Sequence, residues 1–246
     1  LRASVLATLA SNRGHGEGPF RFFEVGRVFR SQPGELPDER EMASGVLAGC
    51  RWVPSWLEPG GSLDFFDAKG VLEDLLERLG VTAEYDPSED SYFHAGRCAV
   101  IRFGRRTLGT VGEVNPKIVE NFDLDGQTVA FFELHLDTLL EALPESDRHI
   151  SRLSRFPAAT RDLALVLPAG VAAAKVRDII TRHRMVEHVE LFDIYTGDNI
   201  PAGTKSMAFH VYFQAQDRTL TTEEVNRSLQ GLLRTLEREL QASLRS

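Results

Sequence analysis

Cysteine is nearly absent. Cys50 and Cys98 are the two in the chain, far apart and without CxxC spacing. That argues against both a disulfide scaffold and a zinc site and suits a reducing cytosol, so a cytoplasmic location is expected. Lysine is scarce as well, 4 residues against 24 arginines; a coding bias accounts for this, and it carries no weight. No apolar run approaches the ~18–20 residues of a membrane span, and no membrane partner is expected. The start, Leu1 to Leu9, reads as helix and lacks the long apolar core of a signal peptide. It also lacks an initiator Met, so the chain is expected to be a fragment of a larger protein.

Catalytic signatures are missing too. Residues 1–150 hold no HExxH, no Ser/His/Asp spacing and no convincing carboxylate pair. Gly14 to Gly18 resembles half of a phosphate-cradling loop, but no strand precedes it and no Lys-Ser/Thr follows it, so it reads as a connector. Asp86, Glu89 and Asp90 cluster in a segment that reads as a solvated loop in preference to a metal site. His183, His188 and His210 share no metal-ligand spacing. No catalytic residue and no metal ligand is expected.

What is present divides at one stretch, Ser154 to Asp162. Pro157 breaks any helix and biases Phe156 towards extended backbone. The apolar run Leu163 to Leu167 follows, bounded by Pro168 and Gly170, the signal of a buried strand. The length of 246 residues allows two modest domains, each with its own core. Charge divides at the same place. Residues 1–150 carry 15 Lys and Arg against 25 Asp and Glu, a net of −10, and residues 151–246 carry 13 against 11, a net of +2. A mildly basic module joined to an acidic one suits a polyanionic partner for the second part alone.

In the first part, Val5, Leu6 and Leu9 share one face of a short helix ending near Asn12. Phe20 to Arg30 is aromatic and β-branched and reads as a strand. It pairs across the turn-rich loop Ser31 to Asp38 with a second strand, Met42 to Gly49. Along the first of these, Glu24 and Arg27 fall on opposite faces. Asp64 to Gly80 is a helix with an apolar stripe of Ala68, Val71, Leu72, Leu75, Leu76 and Leu79. Cys98 to Phe103 and Leu108 to Val114 flank a tight turn. A short helix opens at Pro116, and Val129 to Leu136 is another strand. The expectation is a mixed, mainly antiparallel sheet with a few helices.

In the second part the pattern predicts a strand over 163–167, a helix over 172–183, strands over 186–195 and 205–215, a helix opened by a Thr221/Glu224 capping box, and a short edge strand over 241–245. The order βαββαβ is the ferredoxin-like arrangement. Both helices then cover one face of the sheet. Met207, Phe209, Val211 and Phe213 should face them; Ala208, His210, Tyr212 and Gln214 should face outwards. An open sheet face carrying aromatics and hydrogen-bonding groups is one way small modules hold unstacked RNA bases.

Several stretches together resemble the C-terminal portion of bacterial phenylalanine–tRNA ligase β subunits. They are Phe22-Phe-Glu-Val-Gly-Arg-Val-Phe29, Asp67 to Leu76, His94-Ala-Gly-Arg-Cys-Ala99, and Gly109-Thr-Val-Gly-Glu-Val-Asn-Pro116. In the second part they are Arg155-Phe-Pro157 with Arg161-Asp-Leu-Ala-Leu165, Leu191-Phe-Asp-Ile-Tyr-Thr-Gly197, and Gly203-Thr-Lys-Ser206. Each is modest alone; their joint order is specific. The resemblance implies an α+β chain. Residues 1–150 would be a class II synthetase core-like domain that has lost its chemistry, and residues 151–246 a ferredoxin-fold anticodon-binding domain.

It further implies a heterotetramer of two α and two β subunits. There the α subunit activates phenylalanine with ATP and charges tRNA(Phe). ATP and Mg would serve the whole enzyme, with no cofactor in this portion; the family's Mg-binding acidic cluster and its editing domain lie upstream. The sequence departs from an active class II site, because Arg21 and Glu24 stand three apart where an Arg-x-Glu strand would be required. The candidate tRNA contacts are Tyr195, His210 and Tyr212 as stacking residues and Arg161, Lys205 and Arg218 for phosphates, the last three expected at strand ends and loops. The other reading is a non-catalytic regulatory subunit whose ferredoxin-like domain binds a small effector.

Overall fold

The computed structural model describes residues 1–14, 18–53, 55–144 and 154–245. The chain divides into two compact units, Leu1–Arg148 and His149–Ser246.

The first unit is built on β1 (Phe20–Arg30), β2 (Asp38–Ala48), β3 (Glu84–Pro87), β4 (Phe93–Phe103), β5 (Arg106–Val114) and β6 (Val129–His135). They form one sheet in the order β1-β2-β6-β5-β4-β3, antiparallel at every pairing. Helices lie on both faces. α1 (Arg2–Arg13) sets Val5, Leu6 and Leu9 against Val46, Ala48, Val129 and Phe131. On the other face, α2 (Phe65–Leu79) and α4 (Leu136–Ala142) close over Leu47, Ile101, Val111, Ala130, Phe132 and Leu134. Because β6 is covered on both sides, it opens in sequence on a continuous apolar run, Val129 to Phe132, rather than an alternation. α3 (Pro116–Glu120) is capped by Asn115, whose side chain accepts from Lys117 N.

Several expectations change here. β2 begins at Asp38, not Met42, since the ladder with β1 runs to the pair Arg30↔Asp38. β3 and α4 were not expected; each is too short to show a period. On α2 only Ala68, Leu72 and Leu76 are buried, while Val71 and Leu75 are 45% and 37% exposed. The stripe is therefore narrower than the sequence suggests. The acidic cluster is dispersed: Asp86 lies in β3 and accepts from Arg102 at 2.9 Å, and Asp90 accepts from Arg2 at 3.0 Å. Among the described residues no group of His, Cys, Asp and Glu could hold a metal ion. Glu24 and Arg27 do part company, Glu24 accepting from Ser4 Oγ and Arg27 pairing with Glu39 and Glu41.

The second unit holds β7 (Ala159–Pro168), α5 (Ala173–Thr181), β8 (Val186–Tyr195), β9 (Thr204–Phe213), α6 (Thr222–Leu240) and β10 (Ser243–Leu244). This is βαββαβ, with an antiparallel sheet in the order β10-β7-β9-β8. Alternation on β7 and β9 sends Leu163, Leu165, Leu167, Met207, Phe209, Val211 and Phe213 into one core with Val176, Ile180, Val225, Leu232 and Leu236 of the helices. Among the described residues no helix of this unit covers the opposite face of the sheet. α6 begins at the expected capping box, with Thr221 Oγ1 accepting from Glu224 N and Glu224 Oε2 from Thr221 N. Ser154 and Gln214 tie the segment before β7 to the end of β9: Ser154 Oγ donates to Ala215 O at 3.2 Å, and Gln214 Nε2 to Phe156 O at 2.6 Å.

Candidate nucleic-acid interface

The ladder registers fix what the uncovered face displays. Four rows cross it: Thr160–Tyr212–His188, Asp162–His210–Glu190, Ala164–Ala208–Asp193 and Val166–Ser206–Tyr195. β10 adds Ser243 beside Val166, and Arg245 N donates to Ala164 O at 3.0 Å. The middle of the face is thus floored by small side chains, Ala164, Val166, Ser206 and Ala208, with larger ones around them.

Arg245 and Tyr195 meet over that floor. They stand at opposite edges of the sheet, yet the guanidinium carbon lies 4.7 Å from the tyrosine ring centroid. Ser206, between the two edges, is only 3% exposed. Gly197 makes room for the ring, since a Cβ there would lie 2.4 Å from Tyr195 Oη. Among the described residues Arg245 forms no ion pair, so its N–H edge is available to an anion. A guanidinium on an aromatic face keeps its donors in the ring plane direction and gains from the ring's quadrupole.

A second group sits two rows from Tyr195. His210 Nδ1 is 2.7 Å from Asp162 Oδ1, and its ring is stacked on Phe192 with centroids 4.0 Å apart and planes 15° apart. Phe192 is 49% exposed. Tyr212 lies at the rim, its ring 5.5 Å from that of His188.

The sequence candidates therefore fall into different surroundings. Tyr195, His210 and Tyr212 share the uncovered face. Arg161 and Lys205 do not. Arg161 pairs with Val211 and Lys205 with Leu167, which puts both on the helix side of the sheet, and neither is at a free loop. Arg161 Nη1 donates to Thr160 O at 2.9 Å, and burial pushes the Lys205 amine below its ordinary pKa. Arg218 is in a loop and exposed, but its Nη2 donates to Glu224 Oε1 at 2.6 Å and its Nη1 to Asp217. The bond to Glu224 holds the Arg218 pKa above its usual value, and the Glu224 carboxyl is held below its own by the Thr221 N–H and by Arg218.

Charge is also arranged differently from a simple basic face. The sheet face bears Asp162, Glu190 and Asp193 against Arg245, while the exposed cations Lys175, Arg177, Arg227, Arg234 and Arg238 lie on α5 and α6. Two further side chains of this face, Arg245 and Phe192, were not among the sequence candidates. Arg245 was legible only as part of an edge strand; Phe192 sits at the irregularity between Leu191 and Asp193, where counting by twos fails.

Residues 1–136 match the family described as phenylalanyl tRNA synthetase beta chain CLM domain, and residues 154–245 match the ferredoxin-fold anticodon binding domain. The chain belongs to the phenylalanyl-tRNA synthetase beta chain family. It is 34% identical over 246 residues to the phenylalanine–tRNA ligase beta subunit of Dehalococcoides mccartyi, covering 100% of this chain and 30% of the relative. It is 35% identical over 255 residues to that of Synechococcus elongatus, covering 100% and 31%. To that of Geobacillus kaustophilus it is 35% identical over 246 residues, covering 98% and 30%. The chain thus spans about 30% of the length of these relatives and corresponds to the C-terminal portion of the beta chain, CLM domain followed by ferredoxin-fold domain. Among the described residues no helix is long and apolar enough to cross a membrane.

Proposed function

We propose that residues 151–246 bind tRNA(Phe) through the uncovered sheet face, at the anticodon loop, as part of phenylalanine–tRNA ligase. The observation that carries this reading is the Arg245–Tyr195 contact over the small-residue floor. An unstacked base laid on the floor meets an aromatic ring beside it. Its flanking phosphate meets a guanidinium that forms no ion pair among the described residues. Asp193 and Glu190 at the same edge are acceptors for base N–H groups, and they disfavour phosphate, so the polyanion enters from the Arg245 side. RNA modules that read single-stranded loops combine these same elements.

Residues 1–150 take the role of a class II core relative without catalysis. They pair with the α subunit in an α2β2 enzyme that uses ATP and Mg to charge tRNA in the cytoplasm. Support comes from the family match over residues 1–136. Within β1, Arg21 Nη2 donates to Arg51 O, Glu24 accepts from Ser4, and Arg27 pairs with Glu39 and Glu41. The charged groups that an active strand would turn on ATP are taken up within the unit.

The test is binding of tRNA(Phe) transcript to the chain at two salt concentrations. Tyr195→Ala weakens binding by roughly 1–3 kcal/mol. Arg245→Ala weakens it and lowers the salt slope by about one. Parent-like binding by both variants sinks the reading.

A further inference from the structure

We infer that Phe192, with His210 and Asp162 behind it, is a second base-stacking station on the same face, for a base of the same single-stranded RNA segment that Tyr195 and Arg245 hold. This rests on the reading of the face given above.

Three observations bear on it. The two rings form a parallel pair, 4.0 Å between centroids and 15° between planes, in which Phe192 remains 49% exposed. A large aromatic left half in solvent on a sheet face, with one side of its ring already backed by another flat ring, is a platform ready for a third. The platform is also fixed. Asp162 Oδ1 lies 2.7 Å from His210 Nδ1 and comes from β7, so the imidazole is clamped from one neighbouring strand and stacked from the other. A stacking residue whose rotamer is already set loses less conformational entropy when the base arrives. Lastly, Phe192 is three residues before Tyr195 on β8, and the irregularity between Leu191 and Asp193 brings both rings to the same face, about 10 Å apart along the strand, so both reach one short stretch of unpaired RNA.

Asp162 is a positioning residue here. With Nδ1 engaged by the carboxylate, Nε2 is the ring nitrogen of His210 left to hydrogen-bond a ligand. Glu190, the cross-strand partner of His210 on β8, sets a second carboxylate beside it. A bare phosphate is therefore a poor occupant of this end of the face, and a neutral base with N–H donors is a good one.

The experiment measures affinity for a tRNA(Phe) transcript, using the whole chain, at two salt concentrations. Phe192→Leu keeps an apolar side chain but removes the ring. It should weaken binding on the order of tenfold with an unchanged salt slope, because no phosphate contact is lost. Phe192→Trp should bind within about twofold of the parent, as stacking tolerates any aromatic. Asp162→Ala should lose part of the affinity and Asp162→Asn, which still accepts from Nδ1–H, should recover it. Near-UV circular dichroism checks the fold of each. If Phe192→Leu binds like the parent while Arg245→Ala does not, the station is wrong and the reading of the face stands. If Arg245→Ala and Tyr195→Ala also bind like the parent, both fall.

Discussion

Arg245 and Tyr195 stand on opposite edges of a four-stranded sheet, and the guanidinium carbon of one lies 4.7 Å from the ring centroid of the other. The contact therefore depends on all four strands being in register. Any change that shifts β8 against β9, or frees β10 from β7, should act on RNA binding before it acts on the core.

Gly197 gives the mildest way to disturb that contact. A Cβ there would lie 2.4 Å from Tyr195 Oη and 2.7 Å from Cζ. Gly197→Ala should displace the ring, reduce tRNA affinity to near that of Tyr195→Ala, and leave the melting temperature within a few degrees of the parent. Affinity and melting measured on the same preparation check this.

The core of the second unit makes the opposite prediction. Phe209 is fully buried at the centre of β9, among Leu163, Leu165 and the two helices. Phe209→Ala should cost about 3–5 kcal/mol, a large part of the roughly 5–15 kcal/mol that holds a domain of this size folded. Denaturant unfolding should show the second unit lost while the far-UV signal of the first unit persists.

Acid should loosen the first unit through Asp67. Its carboxyl is held below the ordinary range chiefly by the hydrogen bonds from Arg51, then by the Asp64 backbone N–H. A carboxylate with a lowered folded-state pKa contributes stability that is present above its unfolded value and is lost as pH falls through the folded value. Stability of the first unit should therefore drop below about pH 4. Asp67→Asn should lower stability at pH 7 and flatten that acid limb. The effect is modest, since Arg51 is partly exposed. Urea midpoints from pH 7 to pH 3 measure it.

Without an α subunit the chain should show no phenylalanine-dependent ATP–pyrophosphate exchange, because Arg21 and Glu24 stand three apart on β1 and so fall on opposite faces of the strand, where an Arg-x-Glu pair would share one. Exchange above background, carried by this chain, would contradict the account of residues 1–150.

Much of the fold could be read from the residues. From Met207 onwards β9 alternates because one face is buried and the other is not, so Met207, Phe209, Val211 and Phe213 announce themselves. α6 is announced by Thr221 and Glu224, whose reciprocal bonds need nothing beyond local spacing. The site was harder for physical reasons. Arg161 and Lys205 drew notice as cations near strand ends, but parity on β7 and β9 turns them to the helix side. Arg218 was chosen although the carboxylate that occupies it, Glu224, was already named for the cap. Phe192 is hidden by the irregularity in β8. The Arg245–Tyr195 contact joins residues 50 positions apart through two intervening strands, which no local pattern encodes.

The central claim is which face of the second unit meets RNA, and backbone amide chemical shifts decide it. An anticodon stem-loop RNA titrated into the isotope-labelled chain should move the amides of Ala164, Phe192, Tyr195, Ser206, Ala208 and Arg245. Shifts confined to α5 and α6, around Lys175, Arg177, Arg227 and Arg234 where the exposed cations lie, would place the RNA on the helices and contradict the account.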